Sequence, residues 1–376
     1  MTDLLGAWAL DACDAEETVA VTAHVHRCAA CAQEATTLRR AAVALATLIG
    51  RADADTPDSY APNADAADAD TADTGAGSPP PTAQVVTAAL ARRRPAPSVP
   101  AFAAPFAAAV GLFESALAEL DGPARAAPSP VRGWTIGDLV THVAATDGLL
   151  AAAIGIPADP PVDPRQDVVA HSEALIAHAR TRPAEYARAL WRDGVDAIAA
   201  RLRAEPNLAG RSIQVGGIGM SVADQLTARA FETWIHARDI AHAVGLRLPD
   251  PLAHDLHVMS DLAARLLDEL STLDIPGVSE PPAGTVELTL TGPGGGSWLV
   301  RVGAVGAVGG AEGAAHAGGA EGAARTPPAA EITLGTVEFC LLVGDRRRLD
   351  DLDVVITGDD PLGRRLLALA PALSGP

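Results

Sequence analysis

RAFETWIHARDIAHAVG (Arg229–Gly245) is the stretch whose reading decides the architecture. Glu232 and His236 stand four residues apart in a helical pattern, so a carboxylate and an imidazole share one helix face, one turn apart. Ser221 is a good N-cap with Asp224 three residues on, and Gly245 suits the C′ position, which predicts a helix over 221–244. About ninety residues upstream, GWTIGDLVTHVAATD (Gly133–Asp147) opens a second helix. Thr135 caps it, Asp138 completes a variant capping box, and His142 follows Asp138 by one turn. A third ligand from this neighbouring helix would make Glu232 and His236 part of an open three-ligand metal site, with a position left for a reacting group.

Outward from these segments the chain stays helical from Val99 for some 170 residues, with predicted helices at 99–121, 135–154, 164–180, 183–204, 221–244 and 250–271. After Pro276 the period changes. Thr285–Thr291 and Ser297–Val302 alternate on either side of Gly292–Gly296, which reads as a β-hairpin. A strand at 331–334, a helix at 335–344, a strand at 352–357 and a helix at 360–370 complete an α+β domain. The repeated GGAEGAA at 309–315 and 318–324 marks residues 303–328 as a flexible Gly/Ala insert between strands. The expected class is mainly α with a C-terminal α+β domain: a metal-binding helical bundle over 99–275, then 276–376.

The two quoted segments resemble the signature segments of the mycothiol-dependent maleylpyruvate isomerases, and the resemblance covers roughly residues 100–376. It implies a DinB-like four-helix bundle followed by a small sterol-carrier-like α+β domain. It also implies that His142, Glu232 and His236 hold a divalent metal, zinc by preference, and that mycothiol is the thiol co-substrate of a small-molecule electrophile. The residues fit that chemistry. No Cys occurs between 99 and 330, so the bundle has no thiol of its own. Cis–trans isomerisation of an enedioate needs transient addition to the double bond, rotation and elimination, which a thiolate performs well. A metal with an open position keeps an external thiol ionised at neutral pH. The competing reading of the trio is a buried Glu–His polar pair between helices. Asp138 either receives the second ring N–H of His142 or serves only its helix cap. Arg238 is a candidate to face an anionic substrate, and Trp134 and Trp234 read as core anchors.

A second constellation, His24-x₃-Cys28-x₂-Cys31, lies in residues 1–49. Two thiols and an imidazole on adjacent turns suit a structural zinc. The segment from Leu4 to Ala41 resembles the zinc-binding anti-sigma-factor domain, which implies an alternative sigma factor as partner. Cys13 is the expected fourth ligand and His26 the other local candidate; the plainer reading is a helical knob with buried thiols. Residues 50–98 read as a disordered acidic linker with a short helix near 84–94.

The formal net charge of −19, with no lysine in the chain, argues against nucleic-acid or anionic-membrane partners. No apolar run is expected to reach membrane-spanning length; Ala101–Phe113 comes nearest and is interrupted by Pro105 and Gly111. No secretory signal opens the sequence, and four Cys make no disulfide framework at this length, so the cytoplasm is the expected location. Three functions follow: a mycothiol-dependent isomerase or S-transferase, a redox-responsive anti-sigma factor whose bundle is a sensor, or an inactive binding scaffold.

Overall fold

The computed structural model describes residues 96–271, 283–303 and 327–374, apart from 132, 159 and 160, together with Ala20, Val21, His24, Val25, Arg27, Cys28 and Cys31. Residues 50–95 of the expected linker, the bulk of the Gly/Ala insert, His26 and Cys13 lie outside these residues. The chain divides into two units, 1–95 and 96–376. The second contains every described element named below.

Its helical part comprises α1 (Ala104–Ala118), α2 (Ile136–Ala153), α3 (Val168–Ala179), α4 (Tyr186–Ala204) and α5 (Val222–Ala243). α1 lies along α5 and α2 along α4, with α3 laid on α2. The helix ends follow local chemistry. Thr135 and Asp138 form a reciprocal capping box at α2, and the Ser221 hydroxyl accepts from the Asp224 N–H at α5. α5 stops at Gly245, whose φ of 70° suits only glycine without strain. The N–H groups of Gly245 and Leu246 then return to the carbonyls of His242 and Ala241.

Phe106, Phe113, Leu139, Trp191, Ile198 and Trp234 fill the bundle core. The Phe113 and Trp191 rings tilt against each other at 4.8 Å between centroids. The stretch Ala101–Ala118 is long and apolar enough to cross a membrane by length and composition, which corrects the shorter run read from the sequence. Here it is largely core: Phe106 and Phe113 are fully buried between α1 and its neighbours. Glu114, also buried, accepts from Arg188 and Arg192 of α4 and ties the two helices together.

Between α4 and α5 the sequence analysis assigned nothing. The structure forms a hairpin of β1 (Ser212–Val215) and β2 (Ile218–Ser221). Its two-residue loop, Gly216–Gly217, has both φ values positive, the geometry that glycine pairs supply in tight hairpins.

α6 (Ala253–Ser271) is shared between two cores. Leu256 and Met259 join the bundle core, while Ala263, Ala264 and Leu267 join the core of the sheet that follows. That sheet contains β3 (Gly284–Thr291), β4 (Gly296–Val302), β5 (Ala330–Gly335) and β6 (Val355–Gly358) in the order β4-β3-β5-β6. β3 pairs antiparallel with β4 and parallel with β5, and β5 pairs antiparallel with β6. α7 (Thr336–Val343) and α8 (Asp360–Leu369) complete the α+β region, contributing Phe339, Leu342, Leu366 and Leu367 to its core. The sequence therefore places a mainly helical fold with a C-terminal α+β region, as observed. α6 is the joint between them.

Candidate metal centre

α5 carries Arg229, Glu232, His236 and Asp239 at spacings of three, four and three, which sets all four on one face. α2 carries His142 and Thr146 one turn apart on the face opposite. Packing of these faces brings the candidate ligand atoms of His142, Glu232 and His236 within 4.8 Å of one another. His142 and His236 are buried, and their rings meet edge to face at 5.3 Å between centroids. Glu232 keeps 27% of its side chain exposed. His142 Nε2 lies 2.8 Å from Glu232 Oε1, and the Thr146 hydroxyl donates to the same oxygen at 3.3 Å.

Both imidazoles have a partner behind them. His142 Nδ1 meets the Ser172 hydroxyl of α3 at 2.9 Å, and His236 Nδ1 meets Asp239 Oδ2 at 3.1 Å. Asp239 is in turn gripped by Arg346, whose Nε and Nη2 donate to its two oxygens at 2.9 and 2.8 Å. With each Nδ1 engaged, each Nε2 is left for the centre, the usual arrangement for metal-binding histidines. Arg346 follows α7, so the α+β region holds one ligand of the bundle in place through Asp239.

Glu232 is held from the other side by Arg229, a fully buried guanidinium that pairs with Glu232 Oε2 and donates from Nε to Asp147 Oδ1 at 2.9 Å. The indole N–H of Trp191 donates to the other Asp147 oxygen at 3.1 Å. Charge states follow. Burial alone would raise the pKa of Glu232, but Arg229 and the contact with His142 outweigh it, so its carboxyl is held well below the usual range. Burial pushes His142 down, although Glu232 pulls it up. A neutral imidazole and an ionised carboxylate are the states that metal ligation requires.

A cavity of about 470 Å³ opens against Thr146, Arg229, Glu232 and His236. The hairpin β1–β2, α5, α6 and the segments after α7 and α8 supply its other walls.

Several expected neighbours lie elsewhere. Asp138 serves its helix cap and an ion pair with Arg180 at 2.7 Å, not His142, because the packing of α3 puts Ser172 nearer the ring. Arg238 points away from the cavity. It pairs with Asp250 at 2.9 Å, and its guanidinium sits over the Trp234 ring. Trp234 is fully buried in the core, as expected, whereas Trp134 packs on the His142 ring with centroids 4.9 Å apart. Sequence reasoning missed Ser172, Arg229, Asp147 and Arg346. The i, i+3 spacings of Arg229 to Glu232 and of His236 to Asp239 were the available signal.

Residues 106–241 match the family model of the mycothiol maleylpyruvate isomerase N-terminal domain. That segment runs from α1 to the last turn of α5 and includes His142, Glu232 and His236. This part of the chain is similar to that N-terminal domain. Among curated relatives, the uncharacterized proteins MT0041 and Rv0036c of two Mycobacterium tuberculosis strains are each 29% identical over 268 residues, 70% of this chain and 91% of theirs. Solved structures of the mycothiol-dependent maleylpyruvate isomerase and of an alanine variant of it align at 19% and 18% identity, with a TM-score of 0.44. They cover 69% of this chain and 94% of theirs. The matched segment carries the whole trio on α2 and α5, while Arg346 comes from beyond it.

In the separate N-terminal unit, His24, Cys28 and Cys31 also gather, with ligand atoms within 4.8 Å of one another. His24 Nε2 lies 3.3 Å from Cys31 Sγ, and the N–H of Cys28 returns to the His24 carbonyl. All three are half-buried.

Proposed function

We propose that this protein is a metal-dependent enzyme that uses mycothiol as a nucleophile toward an activated double bond, as an isomerase or an S-transferase. The observation that carries the reading is the convergence of two back-bonded imidazoles and one ionised carboxylate at the wall of a cavity. Two imidazole nitrogens and one carboxylate oxygen, with a cavity on the remaining side, match the donor set of an open divalent site, with zinc the first choice. A divalent cation there would supply an open coordination position and lower the pKa of an added thiol.

The chain's own residues do the rest. Ser172 and Asp239 fix the two rings, Arg229 fixes Glu232, and the cavity walls bring the electrophile beside the trio and limit water. The thiol must come from outside. The single Cys of the second unit, Cys340, is fully buried beside Ser260, and burial pushes its pKa up to about 12. In isomerisation a sulfur–carbon bond forms as the double bond opens, the new single bond rotates, and the same sulfur–carbon bond breaks. In S-transfer the adduct is kept.

The test is mycothiol consumption and maleylpyruvate isomerisation by the metal-loaded full chain and by Glu232→Gln. Activity in the wild type and its loss with the bound metal in the variant is the expected result. Undiminished activity in Glu232→Gln would refute the reading.

A second reading has its own observation, the cluster of His24, Cys28 and Cys31. These residues suit a structural zinc, with Cys13 as the proposed fourth ligand. Such a module would give the chain a regulatory arm, for which an alternative sigma factor is the proposed partner. Zinc content should fall by one per chain in the Cys28→Ala, Cys31→Ala double variant, and co-purification with a sigma factor should fall with it.

A further inference from the structure

We infer that Arg229 is a positioning residue that limits Glu232 to one oxygen at the candidate metal centre and so keeps room there for an added thiol. This rests on the metal reading above, which it deepens. The two carboxylate oxygens of Glu232 face different partners. Oε1 turns to the trio: it lies 2.8 Å from His142 Nε2 and accepts from the Thr146 hydroxyl at 3.3 Å. Oε2 is taken by Arg229 Nη1.

Arg229 is itself fixed. Its side chain is 5% exposed, and its Nε donates to Asp147 Oδ1 at 2.9 Å. Asp147 is 1% exposed, and its other oxygen accepts from the Trp191 indole N–H at 3.1 Å. One line of contacts therefore runs from Trp191 on α4 through Asp147 on α2 to Arg229 and Glu232 on α5. Nη2 of Arg229 is buried and has no partner among the described residues, so the grip on Glu232 runs through Nη1 alone. If Oε2 also turned to the centre, the guanidinium would lose that bond inside the fold. A buried charge stripped of a partner carries its full desolvation penalty, so the turn is opposed.

A carboxylate can give a cation one oxygen or two. With two, Glu232 would occupy a second position and donate more charge. With one, more of the cation's charge is left to act on a thiol entering from the cavity, and that thiol's pKa falls further. Arg229, Glu232 and His236 all line the cavity, so the thiol and the restrained carboxylate share one space.

The test removes the buried pair as a unit, with Arg229→Met and Asp147→Asn together. One positive and one negative charge go, so the local net charge is unchanged and no buried ion is orphaned. The new amide can still accept from Trp191. Test and reference proteins are full chains that also carry Cys28→Ala and Cys31→Ala, so that only the bundle takes up metal. They are loaded with cobalt(II), whose visible absorption weakens as its coordination number rises, and mycothiol is titrated in at several pH values. The expected result is cobalt affinity equal to or above the reference and a weaker visible band. Mycothiol affinity at neutral pH should fall about 10–100-fold, the size of effect that outer partners of metal ligands have. Arg229→Lys, which keeps a cation beside Asp147 but shortens its reach to Glu232, should move the same readouts less and serves if the double change does not fold. A merely structural Arg229 would move cobalt affinity instead. Cobalt affinity lowered about tenfold or more with mycothiol affinity unchanged would overturn the inference, and so would an unaltered visible band. A reference protein that takes up no stoichiometric cobalt would sink the metal reading itself, and the inference with it.

Discussion

Two clusters of metal-capable side chains stand among the described residues, and they are built in opposite ways. His24, Cys28 and Cys31 are gathered by the winding of one short segment and are only half-buried. His142, Glu232 and His236 come from two helices about ninety residues apart, and partners from α3, α5 and the α+β region hold them from behind. In the bundle the fold makes the site. In the N-terminal unit a bound metal would itself contribute to folding, as it does in small zinc modules. Metal removal should therefore leave the bundle standing and loosen the N-terminal segment.

The sharpest way to break this contrast is at Glu232. Glu232→Gln should lower thiol-dependent kcat/KM by at least about a hundredfold, since outer partners alone are worth 10–100-fold. Its thermal midpoint in the metal-free state should fall as well, because the buried Arg229 guanidinium loses the charge of its Glu232 partner, so the deciding readout is the loss of bound metal. A large loss of stability without loss of metal would mean that the trio is only a polar pair.

Next in size is the support behind the ligands. Asp239→Asn should weaken zinc affinity about 10–100-fold while leaving metal stoichiometry at saturation unchanged, as read by competition with a chromogenic chelator. Arg346→Met should act in the same direction but less, because it works one contact further out. An Arg346→Met protein with wild-type affinity would show that the α+β region does not hold the centre.

The N-terminal cluster should contribute little to turnover. The Cys28→Ala, Cys31→Ala variant should bind one zinc fewer per chain and keep kcat/KM within about twofold, since the trio and the partners behind it all come from the second unit. A tenfold fall would join the two clusters functionally.

The smallest expected effect is on stability. Burial would raise the pKa of Glu114, but its bonds to Arg192 and Arg188 outweigh this and hold it below the ordinary value. A depressed carboxylate stabilises the fold above its unfolded pKa and loses that contribution as pH falls through its folded one. Glu114→Gln should thus cost about 2 kcal/mol at pH 7, with the gap to wild type closing below about pH 4. A gap independent of pH in urea melts would place the cost in packing instead of charge.

The sequence revealed the parts governed by local chemistry. Thr135 with Asp138 and Ser221 with Asp224 announced the two helices that carry the trio, and the spacing of Glu232 to His236 announced its shared face. The Val215-Gly216-Gly217-Ile218 turn was equally legible in principle, since a glycine pair between alternating residues is a hairpin signal. What stayed hidden depends on tertiary packing. Nothing near Ser172 marks it as the partner of a ring thirty residues upstream. Arg229 has the spacing of an ordinary surface ion pair, yet it is buried because Asp147 and Trp191 lie opposite it. Arg346 reaches Asp239 across 107 residues of sequence. The cap at Asp138 shows the converse: a residue at suitable spacing from His142 can be claimed by its own helix and by Arg180.

The most direct test is zinc-edge X-ray absorption on the full chain carrying Cys28→Ala and Cys31→Ala, loaded with one equivalent of zinc. The account expects two imidazole nitrogens and one carboxylate oxygen at about 2.0–2.2 Å, completed by solvent or added thiol. Sulfur scattering should appear only when mycothiol is added. A shell with fewer than two imidazoles, or no stoichiometric zinc at all, would contradict the assignment of His142, Glu232 and His236.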